Sequence, residues 1–224
     1  MIKGRLHHEL GQVTLALASF QQFDEACIAA ERKGLLKPEN VISWRYTSVH
    51  MGSMYLAMGQ SEAAKRCFLR VLEWPRAWQT DRVNALHGVA RYHKERKDWV
   101  KTIRCSEKAL HFFPHVKKGI LIDEIEERLL LLLADAAEGQ GDLRRAREFD
   151  METMKVWYGQ GGKELNAEFL DCYCRQALRQ LAARLPHEAA MSAPRLYLSF
   201  FQESGIINFV RLDRLRSLIA ALKV

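Results

Sequence analysis

The stretch GSMYLAMGQSEAAKRCF, from Gly52 to Phe68, decides how the rest of the chain is read. Its two glycines, its serine and its basic pair Lys65-Arg66 suit either a phosphate-holding loop or the turn of a helical hairpin. Apolar or small residues recur at helical spacing before the second glycine, at Val49, Gly52, Tyr55 and Leu56. They recur again after it, at Ala63, Ala64, Cys67, Phe68, Val71 and Leu72. Gly59-Gln60-Ser61 therefore separates two amphipathic helices, with Ser61 expected to cap the second and Pro75 to stop it. A phosphate loop of the GxxxxGK[ST] type is excluded here, because Gly59 is followed by Gln60. The later GQGGK, Gly159 to Lys163, lacks a preceding strand and a following hydroxyl residue.

The same pattern is written again along the chain. The segment Leu86 to Pro114 carries Ala90, then Asp98-Trp99 at a turn, then Thr102, Ala109 and Leu110. The segment from Leu130 carries Ala134, then GQGD (Gly139 to Asp142), then Leu143 and Ala146. An earlier copy is expected from Leu10 through Leu17, Phe23 and Ala26 to Pro38. Aligned on Ala26, Ala64, Thr102 and Ala146, the copies are spaced 38, 38 and 44 residues apart. Such a period predicts stacked helical hairpins, each burying its apolar face on its neighbours.

Gly52, Tyr55, Gly59, Ala64, Phe68 and Pro75 resemble the tetratricopeptide repeat, a pattern matched in the next copy by Ala90, Trp99, Ala109 and Pro114. Ala134, Gly141 and Ala146 continue it, and Phe23, Ala26 and Pro38 are assigned to the first copy. The resemblance covers roughly residues 7 to 158. The period is longer than the family's ~34 residues, and Trp44 lies one turn before the family's signature tryptophan position. Elongated helical repeats of this kind also resemble those of some bacterial regulators, the maltose-activator type among them.

The resemblance implies an all-α, right-handed solenoid of about four hairpins. It further implies a groove lined by the first helix of each hairpin. Tyr46, Val49, Ser53 and Leu56 then face the groove in the second copy, and Asn84, His87, Arg91 and Lys94 in the third. Arg128, Leu131, Asp135 and Glu138 do so in the fourth. Arg91 and Lys94 suit a carboxylate or an acidic peptide. Equally, their equivalence with Asp135 and Glu138 allows pairing between neighbouring copies. The Lys/Asn/Arg clamp of chaperone-binding members is not reproduced. Trp74 and Trp78 lie in the connector, where exposure would mark a contact surface and burial would not.

Residues 159–224 read as a separate C-terminal set of helices capping the solenoid: Glu164 to Leu185, Arg195 to Gln202, and Ile206 to Leu222. The last is basic and amphipathic, which suits a partner groove or a membrane surface as well as a cap. Composition bounds the function classes. The 224 residues are 48% hydrophobic and 27% charged, with only five prolines and thirteen glycines, too few turns for an all-β protein. The net charge of +7 is spread over helix faces, so nucleic-acid contact through a basic surface is the weaker expectation.

Five cysteines without a CxxC pair and a polar N-terminus predict reduced thiols and a cytoplasmic setting, without membrane insertion. His111 and His115 have zinc-like spacing but are separated by Pro114, and no catalytic constellation is visible. We therefore expect no catalytic residue, metal or cofactor, and a protein or peptide partner in the groove. The alternative is the ligand- or protein-sensing module of a bacterial transcription regulator.

Overall fold

The computed structural model describes residues 11–74, 77–113 and 120–159; the C-terminal helices expected over 159–224 lie outside the described residues but for Gly159. Seven helices and no strand occur among the described residues: α1 (Val13–Arg32), α2 (Pro38–Ala57), α3 (Ser61–Glu73), α4 (Gln79–Glu95), α5 (Trp99–Phe112), α6 (Ile120–Gly139) and α7 (Leu143–Gly159). Cα packing divides the chain into two compact units at Ile125/Glu126.

Local chemistry sets the helix ends. Four helices stop in the same way, with a residue in left-handed conformation: Gly34 (φ 65°), Gly59 (φ 72°), Lys97 (φ 56°) and Gly141 (φ 82°). At each stop the next residue's N–H reaches back to a carbonyl five positions earlier, for example Gln60 N to Tyr55 O at 2.8 Å and Asp98 N to His93 O at 2.9 Å. This Schellman geometry satisfies the orphan carbonyls and reverses the chain. At Gly59, Lys97 and Gly141 the following helix starts two residues later, so the predicted turn at Gly59-Gln60 is a hairpin turn. Ser61 does not cap α3, however. The cap position is Gln60, and the Ser61 hydroxyl donates to Glu95 Oε2 at 2.8 Å. Asp98 does cap α5, accepting from Lys101 N at 3.3 Å.

The first copy is offset from the predicted register. Leu10 to Pro38 is not a hairpin, because α1 runs unbroken from Val13 to Arg32. Gly11 (φ 70°) precedes it by the interval that separates Gly59 from α3. Ala16 and Phe20, 0% and 1% exposed, thus take the places of Ala64 and Phe68, while Ala26 is not part of the buried stripe. Two small-plus-aromatic patterns fit this amphipathic stretch, and contact with α2 selects the earlier one.

In the first unit α1 packs on α2, α2 on α3 and α4, α3 on α4, and α4 on α5. Helix α2 carries apolar residues around its circumference because it is sandwiched. Met51 and Met54 join Ala16, Leu17, Phe20 and Cys67 in one cluster. Leu56 joins Ala64, Phe68, Val71, Ala85, Val89 and Tyr92 in another. Phe68 fixes the register between hairpins. A Cβ built on Gly52 would lie 2.5 Å from its ring, and one on Gly88 only 2.3 Å, so the two helix glycines form the slot that admits it. In the second unit, Leu129, Leu132, Leu133, Ala134, Ala136 and Ala137 of α6 are buried, as are Ala146, Asp150 and Thr153 of α7.

Candidate functional site

The expected groove residues on α2 and α4 occupy matching positions 38 apart on the two first helices of successive hairpins. Ser53 is exposed, and Val49, His87, Arg91 and Lys94 are half-buried, as are Tyr46 and Asn84. The rest of both helices contributes heavily to the core. One expected member does not reach the surface: Leu56 is 4% exposed and belongs to the core cluster, since it points at α3 and α4. Val49 also packs against that cluster.

Aromatic contacts order the α2 side. The rings of Tyr46 and His50 lie 4.1 Å apart at 45°, and His50 in turn lies 6.2 Å from Phe20 of α1. On α4, Asn84 Nδ2 donates to the carbonyl of Thr80 at 2.9 Å, folding that amide onto its own helix. Below it, Tyr92 donates to Glu62 Oε1 at 2.6 Å, and Arg96 pairs with the same carboxylate, tying α3 to the end of α4. His93 stands 3.5 Å from Asp98, yet its desolvation outweighs that carboxylate and holds its pKa below the ordinary 6.5. In the second unit, Arg128 and Glu138 are exposed and Asp135 and Leu131 are half-buried.

The connector tryptophans have different fates. Trp78 is 57% exposed and its ring lies 5.6 Å from the guanidinium of Arg45. Arg45 itself is 3% exposed and pairs with Asp81 at 3.3 Å, linking α2 to the first turn of α4. Burial raises the Asp81 pKa, an effect opposed by Arg45. Trp74 turns inward and stands edge-on to Trp44, with centroids 4.7 Å apart at 79°.

Sequence reasoning missed this buried polar layer. Trp44 Nε1 donates to Asp24 Oδ1, and Arg70 pairs with the same oxygen. A signal was present: Asp24 interrupts the otherwise apolar stripe Ala16, Leu17, Phe20, Cys27. A carboxylate at such a position needs buried partners. Burial also pushes the Cys67 thiol up to about 11, and the thiols of Cys27 and Cys105 upward, which disfavours their reactive thiolates.

Among the described residues no group of three or more His, Cys, Asp or Glu is placed to hold a metal, and no helix is long and apolar enough to cross a membrane. Residues 47–77 match the tetratricopeptide repeat family model. No curated protein sequence matches the chain. Among solved structures, BtubC (BKLC) from P. vanneervenii is similar at a TM-score of 0.67 and 15% identity, covering 92% of this chain and 81% of that one. A variant form of the nearly identical TPR-like repeats of a putative kinesin light chain from Podosopora anserina matches at 0.63 and 15% identity, covering 90% of this chain and 92% of that one. A second structure of those repeats gives 0.55 and 16% identity, covering 97% and 92%. With a repeat turn recurring at Gly59, Lys97 and Gly141, and a tetratricopeptide repeat matched over 47–77, the chain has the fold of the TPR-like helical-repeat proteins.

Proposed function

We propose that the chain is a non-catalytic scaffold that binds a protein or peptide partner along the first-helix face of its hairpins. The observation that carries this reading is the alignment of Tyr46, Val49 and Ser53 on α2 with Asn84, His87 and Arg91 on α4. These positions keep access to solvent, fully at Ser53 and partly at the others, on helices that also supply much of the core. Tetratricopeptide repeats generally mediate protein–protein interaction, and a packed pair of helices offers a largely preformed surface. Arg91 and Lys94 give the α4 side a positive character that suits an acidic segment. Arg128 and Asp135 are the corresponding candidates in the second unit.

The test is affinity capture with the tagged chain in nuclease-treated lysate at moderate salt, compared with Arg91→Glu/Lys94→Glu. We expect a stoichiometric protein partner, lost by at least tenfold in the double variant while helical content is unchanged. Capture of nucleic acid alone, released at moderate salt, would overturn the reading, because phosphate contacts are steeply salt-dependent.

A further inference from the structure

We draw no further inference here: the strongest candidate, the exposed basic stripe of Lys101, Arg104, Lys108 and His111 along α5, carries nothing, because nothing in the structure shows what covers it.

Discussion

The hairpins 38–73 and 79–112 have the same outline and different interiors. Both reverse through a left-handed residue, Gly59 in one and Lys97 in the other, and both begin their second helix two residues later. Near the start of that helix stand Ala64 and Thr102, each 0% exposed, and four residues further stand Phe68 and Ser106. Phe68 fills the slot between Gly52 and Gly88. Ser106 is equally buried but small, and its hydroxyl has no hydrogen-bond partner among the described residues. Thr102 satisfies its own hydroxyl on the carbonyl of Asp98 at 2.9 Å. The repeat thus preserves backbone reversal and small-residue contact, while the second hairpin has no ring at the matching position.

The largest test of this contrast removes the knob. Phe68→Ala should cost about 3–5 kcal/mol in chemical denaturation, since a fully buried ring leaves a cavity between rigid helices. Ser106→Ala, at the matching position, should be neutral or stabilise by up to about 1 kcal/mol, because it removes an unsatisfied hydroxyl. Equal losses at both sites would show that the two interiors are equivalent after all.

Closing the slot should have the next largest effect. Gly88→Ala places a methyl 2.3 Å from Phe68 Cζ, forcing the ring to move at a cost of about 1–3 kcal/mol. Combining it with Phe68→Leu should recover part of that loss, a coupling that a double-mutant cycle measures directly. Additive losses would mean that the glycine serves its own helix and not the ring.

The smallest test concerns the turns. Lys97 adopts a conformation that costs an L-residue roughly 1–2 kcal/mol, whereas glycine adopts it freely. Lys97→Gly should therefore stabilise by up to about 1 kcal/mol, and Gly59→Ala should destabilise by about the same amount, both read as shifts of the denaturation midpoint. A loss from Lys97→Gly would show that its side chain contributes more than the backbone strain removes.

The turns were legible because their causes are local. A glycine between two helical stripes specifies reversal within a few residues, as at Gly59 and Gly141, and the repeat itself places Asp98-Trp99 at a turn. The knob Phe68 was legible for the same reason, its spacing from Ala64 being fixed by one helix. Half of its slot was not. Gly88 resembles any helix glycine until α4 is laid against α3.

By itself, then, the sequence determined the class of fold and the position of its reversals from Gly59 onward, through 3.6-residue periodicity and backbone preference. Only tertiary structure decided the register of the first copy, because Leu10 to Pro38 is amphipathic in both readings and contact with Met51 and Met54 selects Ala16 and Phe20. The same holds for the buried Asp24 network. Asp24 meets Trp44 across 20 residues and Arg70 across 46, and no local preference carries information over such separations.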